Sequence, residues 1–350
     1  MNVAQPRRIL IVLLGAIGDV VRALPLVQRL RAAWPAAHIS WAVEPAAAPV
    51  LQHHPALNQL IRFERAQGAT AFGRFLFAVR RSRPDMTLDL QRHLKSGVTT
   101  WCSGASVRIG FHRRNSREGN WLFQTDWIEP VERFSSKVYQ FLRFADHLGV
   151  PVAPVDFGLR LAPEEESRVD NLLAGIDGRF AALFLGSTWP SRRWFAASTA
   201  GICQGLRARG LGVVLIGGPG DIAFADAVMS AGAGAVVNCA GRTSLRDVIG
   251  ICRRAAVAIG PDSGPMHIAA AVGAPVVSLW GATSPARSAP FGSEDLVIRG
   301  DVPCAPCYLR RCPIGRLCME TITPEVVLAR ADKALDPQRS AVANRPKGQR

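Results

Sequence analysis

The stretch Gly260–His267 (Gly-Pro-Asp-Ser-Gly-Pro-Met-His) places small residues, two polar groups and an imidazole in one turn. It follows the apolar run Ala255–Ile259 and precedes Ile268–Val272, which is the pattern of a buried strand, a tight turn and a helix. Asp262 or Ser263 can cap that helix. The unpaired N–H groups of a helix start carry partial positive charge, so the stretch predicts an anion site, with an ordinary strand-to-helix connection as the alternative.

A carboxylate follows the first predicted strand of the chain. The apolar run Ile9–Leu14 is broken by Gly15-Ala-Ile-Gly-Asp19. Asp19 is therefore expected at the carboxyl end of a strand, where it can act as a general base; the alternative is that it only caps the next helix. Gly15 and Gly18 lack the third glycine of the dinucleotide fingerprint, so the sequence does not favour a dehydrogenase.

Two more loops follow predicted strands in the second half. Gly186–Trp194 contains the hydroxyls of Ser187 and Thr188 and two guanidiniums, one of them that of Arg193. Hydroxyls and guanidiniums can donate hydrogen bonds to phosphate oxygens. In Gly217–Asp221 the glycines allow close backbone approach, and the terminal carboxylate can accept from a ribose hydroxyl. A surface loop with aromatic anchors and a plain glycine turn are the respective alternatives.

Arginines follow the fifth predicted strand of the first half. Arg113 and Arg114, with Arg117 close behind, are candidates for holding an anionic acceptor, and a solvated charge run is the alternative.

Four of the eight cysteines crowd into one segment, at Cys304, Cys307, Cys312 and Cys318. A structural zinc site is possible, but the spacings are tighter than in the usual paired knuckles, and reduced thiols without metal are favoured. No metal or cofactor is therefore predicted. The remaining cysteines are expected in the core: Cys102, Cys203, Cys239 and Cys252.

Composition bounds the class of protein. The 350 residues are 48% hydrophobic and carry a formal net charge of +15, so the chain can build a large core and should attract anionic partners. No apolar run reaches the roughly 20 residues that a membrane span needs, and no signal peptide is evident, which favours the cytoplasm. Two tyrosines and no RNA-binding aromatic motif make nucleic acid the weaker partner.

The elements that must position these residues alternate between strand and helix, which predicts an α/β protein of doubly wound sheets. The first helix, Val20–Trp34, is expected to turn Arg22, Arg29 and Arg31 outward. Prolines at 151, 154 and 163 mark a linker. We expect two Rossmann-like domains facing a central cleft, residues 1–152 and 153–336, and a basic disordered tail at 337–350.

Taken together, these segments resemble glycosyltransferase family nine, the ADP-heptose:lipopolysaccharide heptosyltransferases. The resemblance spans about residues 8 to 335 and also rests on Gly241–Leu245 and Leu279–Pro285. It implies the GT-B architecture, with the acceptor bound by the first domain and the sugar nucleotide by the second. It also implies an inverting, metal-independent transfer of heptose from ADP-heptose to the lipopolysaccharide inner core, by a cytoplasmic enzyme in peripheral contact with the acidic inner membrane.

The resemblance also assigns roles. Asp19 matches the family's general base, and Arg193 stands where better-studied members have a lysine that contacts phosphate and sugar. Arginine keeps the charge but is bulkier, which leaves the donor sugar open. Arg113 and Arg114 would suit acceptor phosphates or carboxylates. The implied donor-binding residues are Ser187, Thr188, Arg193, Asp221, Asp262, Ser263, Gly264 and His267.

Other functions fit the same sequence. A glycosyltransferase with another donor or acceptor, or a sugar-nucleotide epimerase, would keep the fold and change the chemistry. A non-catalytic sugar-nucleotide-binding protein would keep the donor loops but would not need the base at Asp19.

Overall fold

A computed structural model describes residues 5–337 of the chain. The chain divides into two compact units between Arg160 and Leu161. This boundary lies after the expected one at 152/153. Residues 156 and 157 belong with unit 1 because Gln28 Nε2 donates to Asp156 (2.7 Å) and His54 Nε2 lies 3.0 Å from the carbonyl oxygen of Phe157. Residues 338–350, most of the expected basic tail, lie outside the described residues.

Unit 1 is a parallel sheet covered by helices, with strand order β3-β2-β1-β4-β5-β6. Its elements are β1 (Arg8–Val12), α1 (Ile17–Ala33), β2 (His38–Val43), α2 (Ala48–Leu51), β3 (Gln59–Arg62), α3 (Gly68–Arg81), β4 (Met86–Asp89), α4 (Leu94–Cys102), β5 (Val107–Gly110), β6 (Asp126–Trp127) and α5 (Lys137–His147).

Unit 2 repeats this arrangement, with strand order β12-β11-β10-β7-β8-β9 and every pair parallel. Its elements are α6 (Pro163–Leu172), β7 (Phe180–Phe184), α7 (Ala196–Ala208), β8 (Gly212–Ile216), α8 (Ile222–Ser230), β9 (Val237–Asn238), α9 (Leu245–Arg254), β10 (Val257–Pro261), α10 (Gly264–Ala271), β11 (Val276–Trp280), β12 (Val297–Arg299), α11 (Leu317–Glu320) and α12 (Pro324–Leu335).

The central strands are continuous apolar runs because both faces of each sheet are covered. Ile9–Val12 of β1 and all of β7 are buried. In unit 1, Leu10 and Val12 pack with Phe75 and Val79 of α3. In unit 2, Leu183 and Ile259 lie opposite each other in the β7–β10 pair and belong to one core cluster. The predicted doubly wound α/β class is confirmed.

Each sheet reverses its strand order once. The chain moves from β1 outward to β2 and β3, and then returns to the other side of β1 with β4. Unit 2 does the same at β7 and β10. Loops diverge at such a point and leave a crevice beyond the carboxyl ends of the strands, where ligands of open α/β sheets bind. Asp19 follows β1, and Gly260–His267 spans the end of β10 and the start of α10.

Some local predictions were wrong. Arg22 and Arg29 of α1 are buried rather than outward-facing. Arg29 Nη1 donates to Asp146 of α5 at 3.0 Å, and its Nη2 donates to the carbonyl of Val150 at 2.7 Å. Pro163, expected in a linker, begins α6, since proline is tolerated in the first turn of a helix. Helix α4 had no predicted counterpart.

Within residues 5–337, no helix is both long and apolar enough to cross a bilayer.

Gly260 offers a test of how β7 and β10 approach each other. A Cβ added to Gly260 would lie 2.8 Å from the carbonyl oxygen of Phe184 and 2.7 Å from its Cβ. Neither is the end of a flexible chain, so the strands must shift. We expect Gly260→Ala to lower the free energy of unfolding of unit 2 by roughly 1–3 kcal/mol, measured by urea denaturation.

Gly220→Ala is the matched control, because a Cβ there would meet nothing within 4 Å. Equal stability of the two variants would contradict the close approach.

Candidate active site

Asp19 lies in the first turn of α1, directly beyond the carboxyl end of β1. Its Oδ1 accepts a hydrogen bond from Arg22 Nη2 at 2.5 Å and another from the Nζ of Lys137, the first residue of α5. The side chain remains 24% exposed. Two cations therefore hold one edge of the carboxylate without closing it off from solvent.

These contacts set the ionisation of Asp19. Burial alone would raise the pKa of this carboxyl, but the charges and hydrogen bonds of Lys137 and Arg22 outweigh burial and hold the pKa well below its ordinary value. Asp19 is therefore ionised throughout the neutral range.

The loop before Asp19 is tied to the neighbouring strand. Gln91, just after β4, accepts from the N–H of Leu14 at 3.2 Å, and its own N–H donates to Asp89 Oδ1 at 3.0 Å. Asp89 is fully buried, and its Oδ2 accepts from Asn120 (2.8 Å) and Gln124 (3.0 Å). Burial raises the pKa of Asp89 to about 6 despite these bonds. Asp89 thus ties the loop after β4 to the loop after β5, and Gln91 ties the loop after β4 to the end of β1.

Arg113 and Arg114 lie where the sequence predicted them, exposed in the loop after β5. The same loop is held to the β4 loop, because the N–H of Arg117 donates to the carbonyl of Arg92 at 2.8 Å. The two arginines and Asp19 therefore follow strands that end at the same edge of the unit 1 sheet.

In unit 2, Ser263 occupies the N-cap position of α10, but its side chain makes no capping hydrogen bond. Pro265 lies in the first turn of the helix, as predicted. Ser263 is 8% exposed, and its Oγ has no hydrogen-bond partner within residues 5–337. A buried hydroxyl without a partner is costly, so a ligand atom is the natural partner here. Ser263 directly precedes the unpaired N–H groups of the helix start, and His267, one turn further along the helix, is buried.

The loop after β7 meets Asp262 at the strand reversal. Ser187 Oγ donates to the carbonyl of Asp262 at 3.0 Å, and Arg192 Nη1 lies 3.0 Å from its Oδ2. Thr283 also donates to Oδ2, at 2.7 Å. The guanidinium of Arg192 stacks on Trp189, with its Cζ 4.0 Å from the ring centroid. Arg192, which the sequence indicated only as the second guanidinium of this loop, is thus the cation next to Ser187 and Asp262.

Arg193 turns to the loop after β8 instead. Its Nη2 donates to Asp221 Oδ1 at 2.8 Å, and Asp221 Oδ2 accepts from the N–H of Gly218 at 2.9 Å. A Cβ on Gly186 would lie 2.1 Å from Asp221 Oδ2, so that glycine makes room for the carboxylate. Thr188 is exposed in the loop after β7. The predicted donor-binding residues therefore lie on adjacent strand ends of unit 2.

The cysteine-rich segment supports this loop. Ser191 Oγ donates to the carbonyl of Leu309 at 2.6 Å, and Arg316 Nη1 donates to the carbonyl of Arg193 at 2.9 Å. All eight cysteines are free thiols, and burial raises the pKa of Cys318. Between residues 5 and 337, no group of three or more His, Cys, Asp or Glu side chains is placed to hold a metal ion. The cysteines at 304, 307, 312 and 318 therefore form no such group. Cys203, Cys239 and Cys252 are buried as predicted, whereas Cys102 is only half-buried.

The sequence profile of glycosyltransferase family 9 (heptosyltransferase) matches residues 72–317, more than half of the chain. The chain belongs to glycosyltransferase family 9. It is therefore a glycosyl-transferring enzyme, as the sequence predicted.

Named relatives agree with this assignment. The family 9 enzyme is 26% identical to the lipopolysaccharide core heptosyltransferase OpsX of Haemophilus influenzae, over 84% of each chain. It is also 26% identical to lipopolysaccharide heptosyltransferase 1 of Pseudomonas aeruginosa, over 87% of each chain.

Solved structures share the fold. A family 9 glycosyl transferase from Veillonella parvula superposes with a TM-score of 0.80 at 20% identity, covering 94% of this chain and 97% of that one. The Escherichia coli heptosyltransferase WaaC with ADP gives a TM-score of 0.74 at 21% identity, covering 96% and 99%. The predicted GT-B architecture is confirmed.

The roles of two residues of the family 9 enzyme could not be predicted from the sequence, because their hydrogen-bond partners are distant in the chain. Lys137 contacts Asp19 across 118 positions, and nothing in its local sequence signals this. Asp89 is the last residue of a buried strand, and a carboxylate at the end of such a strand was the one feature of the sequence that could have indicated a functional role.

The Lys137–Asp19 contact predicts a pH-dependent contribution to stability. An acid whose folded pKa is lowered stabilises the fold above its unfolded pKa, near 3.8, and this contribution is lost as the pH falls toward the folded value. We expect Lys137→Met to lower stability by roughly 1–3 kcal/mol at neutral pH. The deficit relative to the wild type should shrink below pH 3.8. Thermal unfolding of both proteins between neutral pH and about pH 3 measures this.

Lys137→Arg is the matched control and should retain most of the stability. A Lys137→Met deficit that is constant with pH would mean that Lys137 contributes packing and not charge.

Proposed function

We propose that this enzyme transfers a heptosyl residue from ADP-heptose to the lipopolysaccharide inner core, with inversion at the anomeric carbon and without a metal ion. The named relatives support the substrate class, and one solved neighbour is the Escherichia coli heptosyltransferase WaaC with ADP-2-deoxy-2-fluoro heptose. The observation that carries the mechanism is the ionised, partly exposed carboxylate of Asp19 beyond the carboxyl end of β1.

In this proposal Asp19 accepts the proton of the acceptor hydroxyl. The hydroxyl oxygen attacks the anomeric carbon while the bond from that carbon to the diphosphate oxygen breaks on the opposite face. A carboxylate with a lowered pKa is a weak base, so it takes the proton only after the attacking oxygen has become acidic through bond formation. Lys137 and Arg22 keep the carboxylate ionised and oriented until then.

The leaving ADP gains negative charge, and unit 2 supplies groups that favour it. The first turn of α10 offers N–H donors and the hydroxyl of Ser263, and the loop after β7 offers Ser187 and Thr188. Arg192 and Arg193 add two positive charges next to these donors. Preorganised donors of this kind stabilise developing charge without a cation. Asp221 would accept from a ribose hydroxyl.

Arg113 and Arg114 are the proposed acceptor-binding groups, because guanidiniums bind phosphates and carboxylates in bidentate fashion. The acceptor is an anionic lipid-linked sugar, so we place the enzyme in the cytoplasm, in peripheral contact with the acidic inner membrane. The net charge of +15 supports that contact.

Asp19→Asn tests the proposed base. The amide cannot take a proton, so we expect turnover to fall by roughly 100-fold or more while ADP affinity is unchanged. Product is measured by mass spectrometry after incubation with ADP-heptose and truncated lipopolysaccharide acceptors, and ADP binding by calorimetry.

Asp146→Asn is the control, since Asp146 also pairs with an arginine of α1, Arg29, but lies outside the proposed site. Near-normal turnover of Asp19→Asn would exclude the proposed base. If the wild-type enzyme turned over only with another sugar donor, Asp19 would remain the proposed base but the proposed donor would be wrong.

Arg192→Gln and Arg193→Gln test the donor groups. Each removes a charge-assisted contact, and we expect each to weaken ADP binding by roughly tenfold or more in calorimetry. Arg179→Gln, an exposed arginine of the same unit outside the proposed site, is the control for lost charge. Unchanged ADP affinity in both loop variants would place the diphosphate elsewhere.

A further inference from the structure

Helix α3 carries an exposed basic face. Arg74, Phe77 and Arg81 follow one another at spacings of three and four positions and so share one side of the helix. All three are exposed, and Phe77 is 67% accessible. The other side of α3, with Phe75 and Val79, packs into the core of unit 1. Phe77, between the two arginines, therefore lies outside this core.

The basic face extends past the end of the helix. Arg80 and Arg83 are also exposed, which gives four arginines within ten positions, and no acidic residue occurs from Gly68 to Pro84. The charge of this segment is thus of one sign.

Helix α4 adds a second exposed aromatic group next to this face. The end of α4 adjoins the end of α3, because a Cβ on Gly104 would overlap the guanidinium of Arg80. Leu94 and Trp101 are seven positions apart on α4, hence on one side of it, and Trp101 is 61% exposed.

From this placement we infer that the α3–α4 face docks unit 1 on an anionic lipid bilayer, with Phe77 and Trp101 entering the interface and the arginines meeting lipid phosphates. Indole and phenyl rings partition into the interface of a bilayer, and each arginine near an acidic surface adds to binding. A nucleic acid would satisfy the arginines but would give no reason for two exposed apolar rings. The inference deepens the proposed function by naming the face that meets the membrane.

Vesicle sedimentation tests the inference with the full chain and with neither donor nor acceptor present, so it can fail while the proposed transfer stands. The vesicles are phosphatidylcholine alone, or phosphatidylcholine with about one-third phosphatidylglycerol. We expect binding to the acidic vesicles only. Arg74→Gln/Arg81→Gln should weaken it by roughly 30-fold, from the usual contribution of two basic residues. Phe77→Ser/Trp101→Ser should weaken it by roughly tenfold or more.

The control variants remove the same number of exposed arginines, or of exposed apolar side chains, from unit 2. Arg179→Gln/Arg299→Gln removes two exposed charges, and Met229→Ser/Val326→Ser removes two exposed apolar groups. Both should bind like the wild type, and thermal unfolding should show all variants folded.

Three results would overturn the inference: equal losses in the controls, equal binding of the wild type to neutral and acidic vesicles, or no binding to either. A loss of duplex DNA binding in Arg74→Gln/Arg81→Gln, with vesicle binding intact in Phe77→Ser/Trp101→Ser, would assign the face to nucleic acid instead.

Discussion

The constraint on which the rest depends is the single reversal of strand order in each sheet. A loop that leaves β1 and a loop that leaves β4 must diverge to opposite faces, and so must the loops after β7 and β10. Polar groups can collect at such a point without breaking a ladder of strand hydrogen bonds. Asp19 and Gln91 occupy the reversal in unit 1, and Ser187 and Asp262 occupy it in unit 2. The two units thus use one topology to present different groups, a carboxylate in the first and hydroxyls, guanidiniums and a helix start in the second.

Charge compensation keeps these groups in place. Asp19 is paired with Lys137 and Arg22, Asp221 with Arg193, and Asp262 with Arg192. All three pairs orient the side chains that they join, and the pair at Asp19 also lowers the pKa of that carboxyl. A guanidinium that already holds a carboxylate at one edge still has N–H donors for phosphate oxygens. Pairing with a carboxylate therefore fixes the orientation of each guanidinium of unit 2 and leaves some of its N–H donors available.

Local chemistry was predictable from the sequence. Proline, glycine and serine within Gly260–His267 predicted the strand end and the helix start, and the structure shows both, whereas Ser263 occupies the N-cap position without a capping hydrogen bond from its side chain. Helix α4 was not predictable, because glycine, serine and two threonines give Leu94–Cys102 a low helix propensity and its packing sustains it. The same holds for Arg22 and Arg29. A helical pattern assigns arginines to the solvent face, but Arg29 is buried against Asp146, a partner 117 positions away that only the tertiary structure supplies, and Arg22 is buried beside Asp19 of its own helix.

Asp89 and Asp19 show how neighbouring strand ends give two carboxylates opposite properties. Both lie near the reversal of one sheet. Asp89 is surrounded by neutral amide donors, which do not offset the cost of burying its charge, and its pKa rises to about 6. Asp19 has two cations as its donors, and its pKa falls. The buried group suits a role in holding loops together, and the ionised, accessible group suits proton acceptance. The difference in role therefore comes from the side chains around the two carboxyls, which are Lys137 and Arg22 at Asp19 and Asn120 and Gln124 at Asp89.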